Sequence, residues 1–254
     1  MQGSKTRPVR RWAELADWFE SPLGKELLNA EAESLDDVLG DLFGYHLLQV
    51  GCPGKLNLAR ASRTLRQFSV DLEYSSSECG ACLAEPEYLP ILSDCIDVAI
   101  LPHTLEFCAD PYQTLREIDR VLIAEGHLVI CGFNPMSHWG VRRFVERKGR
   151  APWSGRFLRL GVLREWLSVL GFELRRVEHF FYAPPLSKPK LAKPFTLLDR
   201  SGLRRWPILA GGYLILARKR VSTITPIKPR WSPKRRLASA RIVEPTSRNA
   251  NGHG

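Results

Sequence analysis

Four short stretches of the chain carry residue types whose spacing suits chemistry. The first is Gln49-Val-Gly51-Cys-Pro53-Gly54-Lys55, which follows the apolar run Tyr45-His-Leu-Leu-Gln-Val50. Glycines at such a place let a backbone turn sharply and come close to a ligand. The second is a set of acids after two further apolar runs: Asp71 and Glu73 close Phe68–Leu72, and Glu85 follows Ala81–Ala84. A carboxylate there is either an acceptor for ligand hydroxyl and amino groups or a solvated strand end. The third is Leu101-Pro102-His103-Thr-Leu-Glu106. An ordinary histidine titrates near pH 6.5, so His103 suits a general base for an acceptor that must lose a proton. A loop histidine that lines a ligand's edge or caps the next helix fits the same residues. The fourth is Cys79-Gly-Ala-Cys82. A zinc site needs a second pair of cysteines or histidines at suitable spacing, and none follows, so no metal is expected and these are ordinary thiols.

The elements that must position these residues can be read from periodicity. Trp12, Leu15, Ala16 and Phe19 share one helical face, within a helical stretch over residues 8–30. Ser21-Pro22 places an N-cap and a first-turn proline at the start of a second helix. Ser34 precedes Leu35-Asp-Asp-Val38, an acid-rich first turn that predicts a third. A first strand over Tyr45–Val50 should lead into a helix over residues 56–67. Short strands follow at Phe68–Leu72 and Ala81–Ala84. A fourth, Cys95–Leu101, is apolar throughout but for Asp97, as in a parallel sheet covered on both faces. Asp110-Pro111 opens an amphipathic helix through Leu115, Ile118, Val121 and Leu122, and His127–Cys131 is a fifth strand. Strand, helix and strand in this order form a parallel crossover. A helix at Leu163–Leu170 ends at Gly171, and strands at Phe172–Tyr182 and Gly212–Ala217 finish the fold. The class is α/β: a Rossmann-like, doubly wound, mostly parallel sheet with an antiparallel closing strand.

With 254 residues, the chain has room for one large domain and a tail. No apolar stretch approaches the 18 residues of a membrane span, and no secretory signal is read in the basic N-terminus. Six scattered cysteines, mostly in apolar runs, suit a cytoplasmic protein with free thiols. The net charge is +10, and +6 of it falls beyond Val221, where seven Lys or Arg face Glu244 alone among four prolines. Such a segment buries too little apolar surface to order itself. Residues 1–44 therefore read as helices packed on the core, 45–220 as the main domain, and 221–254 as a basic, disordered tail. The tail is either a solvated extension or an electrostatic arm making weak contact with nucleic acid. A second basic cluster comprises Arg142, Arg143, Arg147, Lys148 and Arg150. His138 and Trp139 stand where an acceptor pocket could be lined.

The stretch from Leu89 to Cys131 resembles class I S-adenosylmethionine-dependent methyltransferases of the small-molecule type. The resemblance is carried by Leu89-Pro90, Asp97-Val-Ala-Ile, Leu105-Glu106-Phe-Cys-Ala-Asp110-Pro111, Arg116-Glu117-Ile-Asp-Arg-Val-Leu122, Gly126 and Leu128-Val-Ile. It extends more loosely over residues 45–220. It implies a ligand outside the carboxyl ends of the strands, at the point where strand order reverses. It further implies that Gly51 and Gly54 let the backbone approach the methionine end of the cofactor, that Asp71 holds the ribose hydroxyls, that Glu85 accepts from the adenine amino group, and that Pro102 and His103 border the cofactor, with His103 as the catalytic residue. The family's first loop carries an acid and then G-x-G-x-G; here Gln49 replaces the acid, Pro53 enters the loop and Gly54 is displaced by one.

Two functions follow from this resemblance. One is methyl transfer from S-adenosylmethionine to a small-molecule acceptor. The other is a degenerate methyltransferase-fold protein with a binding or regulatory role, associated with nucleic acid. The altered loop favours the second. The missing G-x-G-x-x-G disfavours a nicotinamide-dependent reductase.

Overall fold

The computed structural model describes residues 6–53, 57–72, 81–146, 151–185 and 209–220, leaving aside the side chains of 6–9, 81 and 145. These lie in one compact unit, Met1–Val221; the tail read as basic and disordered, with Gly54, Lys55, Glu73 and Cys79, lies outside the described residues.

Two helices open the chain, α1 (Thr6–Phe19) and α2 (Pro22–Leu39). Ser21 caps α2, its Oγ accepting from the Gly24 N–H at 3.1 Å, with Pro22 at the first helical position. The third helix expected at Ser34 does not start there. The Ser34 hydroxyl donates to Ala30 O at 3.0 Å, so α2 runs through. Gly24 marks the crossing of α1 and α2: a Cβ there would stand 2.4 Å from Trp18 O and 2.6 Å from Phe19 Cα. Gly24→Ala is expected to destabilise the protein by about 1–3 kcal/mol, read by urea unfolding, despite alanine's better helix propensity.

The sheet holds β1 (His46–Val50), β2 (Arg66–Asp71), β3 (Ala81–Leu83), β4 (Ile96–Pro102), β5 (Leu122–Phe133), β6 (Phe172–Phe180) and β7 (Gly212–Lys219). Their order is β3-β2-β1-β4-β5-β7-β6. The first five strands pair in parallel, and β7 runs antiparallel to both β5 and β6. This is the doubly wound α/β sheet with antiparallel closure that the sequence predicts. Alternate residues of β4 serve opposite faces. Val98 and Ile100 pack with α1 and α2, while Ile96, Ala99 and Leu101 pack with α4 (Pro111–Val121) and α6 (Leu160–Val169). Asp97 escapes burial by stapling the start of β1, its Oδ2 accepting from Tyr45 N at 3.1 Å and His46 N at 2.8 Å.

Among the described residues, two connections lack the helices such a sheet ordinarily has. The helix expected over residues 56–67 is replaced, among the described residues, by turns leading into β2 at Arg66. Side chains claim the backbone there: Asn57 Oδ1 takes Ala59 N–H at 2.9 Å, and Gln67 donates to Ala59 O at 2.9 Å. The β3–β4 connection is also loop. Its carbonyls at Leu89 and Ile91 are satisfied by Arg120 of α4 at 3.0 and 2.9 Å, and its Leu89 N–H by Glu117 at 3.1 Å. Beneath that loop an apolar cleft of about 400 Å³ lies over Leu48, Phe68, Val70 and Ile96. His46, Cys95 and Ile96 line it at the amino ends of β1 and β4, whereas doubly wound sheets hold their ligands beyond the carboxyl ends.

Candidate functional site

Strand order reverses between β1 and β4, so the crevice beyond their carboxyl ends is where a ligand belongs. The residues that follow these strands directly are Gly51 and His103.

Gly51 has φ +88°, a conformation that L side chains rarely adopt. A Cβ on it would meet Trp12 Cη2 of α1 at 2.5 Å and Thr104 Oγ1 at 3.0 Å. The turn is held from three sides. Gly51 N–H donates to Val70 O at 2.7 Å, the Thr104 hydroxyl donates to Val50 O, and Gln49 works from beneath. Gln49 is buried, donating to Gly51 O at 2.9 Å while its Oε1 accepts from Leu58 N at 3.0 Å. An acid there could not donate to Gly51 O, so glutamine suits the inward, loop-fixing role it plays.

Asp71, the last residue of β2, is buried; its Oδ1 accepts from Leu72 N at 2.7 Å and its carbonyl accepts from Ala84 N at 3.0 Å. Glu85 lies exposed on the turn after β3. Its neighbour Glu87, which the sequence reading passed over, is buried, and its Oε1 accepts from Ala109 N at 2.7 Å and Asp110 N at 3.0 Å. Pro102 ends β4, buried beside Cys131 of β5. Gly51, Asp71 and Pro102 thus close the carboxyl ends of β1, β2 and β4, while Glu85 follows β3.

His103 is the largest departure from expectation. It has no exposed surface, sits at φ +54°, and packs against Phe133 with the rings tilted and their centroids 4.2 Å apart. Its Nδ1 lies 2.9 Å from Glu106 Oε2, and its Nε2 faces Glu31 Oε2 of α2 at 3.3 Å, an ion-pair contact outside hydrogen-bond alignment. Glu106, in α3 (Thr104–Phe107), also accepts from Phe133 N at 2.8 Å through Oε1. Burial alone would lower the imidazole's pKa, but the two carboxylates outweigh it and raise it to about 10. Burial raises the Glu106 pKa, against the His103 hydrogen bond that lowers it. Burial, then Glu31, raises that of the neighbouring Cys131 thiol. A general base must reach the proton it takes. A protonated, fully enclosed imidazolium between two carboxylates does not, so His103 stands as an ionic link between α2, β4 and β5 rather than as the expected catalytic base. Glu31 was legible as an acid on the apolar face of α2, spaced with Leu27, Leu28 and Leu35.

His138 and Trp139, in α5 (His138–Val145), both engage Ala183 O at 3.1 Å, with Trp139 wholly buried. Of the basic cluster, Arg142 stacks over Trp153 at 5.0 Å and Arg143 over Phe157 at 5.3 Å, so these two cover aromatic surface; Arg147, Lys148 and Arg150 lie outside the described residues. Among the described residues no group of His, Cys, Asp and Glu is placed to hold a metal, and no helix is long and apolar enough to cross a membrane.

Residues 48–130, which span β1 to β5, match the family described as "Methyltransferase domain". The chain is 34% identical over 168 residues to the uncharacterized protein YafS of Escherichia coli K12, covering 66% of this chain and 69% of that one. Among solved structures, it resembles a SAM-dependent methyltransferase from Archaeoglobus fulgidus with TM-score 0.55 and 17% identity, over 76% of this chain and 94% of that one. A SAM-dependent methyltransferase from Thermotoga maritima, described as a possible histamine N-methyltransferase, gives TM-score 0.55 and 19% identity, over 84% and 97%. The chain belongs to the class I S-adenosylmethionine-dependent methyltransferase family.

Proposed function

We propose that the protein binds S-adenosylmethionine in the crevice beyond β1 and β4 and transfers its methyl group to a small-molecule acceptor. The observation that carries this reading is Gly51: a left-handed, side-chain-free turn at the switch point, braced by Gln49 and Thr104. We assign its backbone to the methionine end of that cofactor, the buried Asp71 to the ribose and Glu85, which follows β3, to the adenine amino group. When bound, S-adenosylmethionine supplies an electrophilic methyl group on a sulfonium. The protein's part is to orient donor and acceptor and to exclude water, for which approximation alone lowers the barrier substantially. Trp12, Phe107 and Phe133 line the core around Gly51 and His103 and make that end of the sheet apolar. With His103 locked in ion pairs, the acceptor is one that needs no base from that residue, such as a neutral amine or an already ionised oxygen or sulfur.

The inward-turned Gln49 favours a second reading, a family member that keeps the fold and has lost the cofactor, with a binding role that extends to nucleic acid. Calorimetry with the full chain decides between them. Micromolar binding of S-adenosylmethionine and its demethylated product is expected. Absence of both heat and thermal shift at millimolar ligand would sink the enzyme reading.

A further inference from the structure

We propose that Glu31, His103 and Glu106 form a buried anionic centre that makes the crevice favour the sulfonium of S-adenosylmethionine over the neutral thioether of S-adenosylhomocysteine. This rests on the reading of the crevice as the S-adenosylmethionine site.

The first support is charge. Two carboxylates flank one imidazolium, at 2.9 and 3.3 Å, with none of the three groups more than 2% exposed. Formally that is two acids to one base, an excess of one negative charge. The second is a weakly satisfied group: both carboxylate oxygens of Glu31 are fully buried, and Oε2 meets His103 Nε2 only at 3.3 Å, as an ion pair outside hydrogen-bond alignment. A buried carboxylate in that state is costly unless further positive charge answers it. The third is position. His103 directly follows β4 at the switch point, and the next residue, Thr104, bonds to Val50 O and stands against Gly51. Aromatic rings of Phe19 and Phe133, at 5.6 and 4.2 Å from the imidazole, keep water from the cluster, so its field is weakly screened. With its pKa raised to about 10, the imidazole stays cationic at neutral pH. Gln49, where the family has an acid, contributes no charge; Glu31 supplies from α2 the negative charge missing from β1.

The test uses two ligands that share the adenosine, the carboxylate and the α-ammonium group and differ in the methyl group that makes the sulfur cationic. By calorimetry near neutral pH, the wild-type protein is expected to bind S-adenosylmethionine on the order of tenfold more tightly than S-adenosylhomocysteine. In Glu31→Gln the ratio should fall to near one, chiefly through weaker S-adenosylmethionine. Should that variant fail to fold, the wild type is titrated with methylthioadenosine and its S-methyl sulfonium, a pair differing only in the methyl and its charge. The same preference for the cation is expected there. Equal or tighter binding of the neutral thioethers by wild type, or a ratio that Glu31→Gln leaves unchanged, overturns the proposal while leaving the cofactor site intact. Parallel weakening of both ligands would place the charge at the α-ammonium or make Glu31 merely structural, and overturns it too. A folded wild type that binds no ligand removes the methyltransferase reading, and the selectivity with it.

Discussion

His103→Leu is expected to destabilise the protein by about 3–5 kcal/mol near neutral pH, because it leaves the buried carboxylates of Glu31 and Glu106 without their shared cation. Leucine fills much of the same volume against Phe19 and Phe133, so the loss reports charge rather than a cavity. The pH dependence gives the signature. In the wild type the imidazole pKa is raised from 6.5 unfolded to about 10 folded. Its contribution is therefore fully present below about pH 6.5 and is lost as the pH rises toward 10. Glu106, also raised, acts in the same direction at lower pH: the folded state holds its proton more firmly, so stability falls as pH climbs through its folded pKa. Cys131 and Tyr213, both raised by burial, keep their protons in this range and add losses only at its alkaline end. In the variant the alkaline loss due to His103 disappears. The cost of leaving buried carboxyl groups without a cation can instead be relieved by protonation, so the deficit should shrink on acidification toward pH 5. Denaturant unfolding across that range measures both. A deficit below about 1 kcal/mol, with a pH profile parallel to wild type, would show that the cluster is not charged as described.

Much of the sheet was legible because its signals are local. Apolar runs of strand length, the Asp110-Pro111 cap and the Arg116-to-Leu122 helix each depend on neighbours a few residues away. Asp110 indeed accepts from Tyr112 N and Gln113 N at 3.0 and 3.1 Å. The misreadings arise where a distant partner decides. The helix expected after β1 gives way to turns partly because Gln49 claims Leu58 N and Gln67 claims Ala59 O. Ser34 reads as a cap from sequence, yet its hydroxyl turns back into α2. At the crevice one role departs from expectation. His103 stands at the end of β4 as placed, but a base and a buried ion-pair partner share the same local sequence. Only Glu31, 72 positions away, separates them. Trp12 was assigned to a helix face without any sign that this face packs on Gly51, because no periodicity reports which strand end a preceding helix will cover.

Gly51→Ala is the second large effect, expected at about 2–4 kcal/mol of lost stability. About 1 kcal/mol of it comes from holding a side chain at φ +88°, and the rest from overpacking. Two of the methyl group's neighbours cannot easily yield. Trp12, at 2.5 Å from the new carbon, is 3% exposed and set edge-to-face against Phe107 with centroids 6.4 Å apart. Thr104 Oγ1, at 3.0 Å, is tied to Val50 O. Strain that moves Trp12 lifts α1, and strain that moves Thr104 displaces the residue next to His103, so the variant should lose S-adenosylmethionine binding as well as stability. A cycle with Trp12→Phe separates the causes. The smaller ring removes the clash but not the left-handed backbone cost, so the two substitutions should be non-additive by about 1–2 kcal/mol, the pair being less harmful than their sum. Additive losses would mean that the indole does not confine Gly51. A Gly51→Ala protein within about 0.5 kcal/mol of wild type would mean that the turn is free to take another conformation. Either result would also weaken the case for a cofactor at this strand end, which rests on a left-handed turn held fixed by α1 and Thr104.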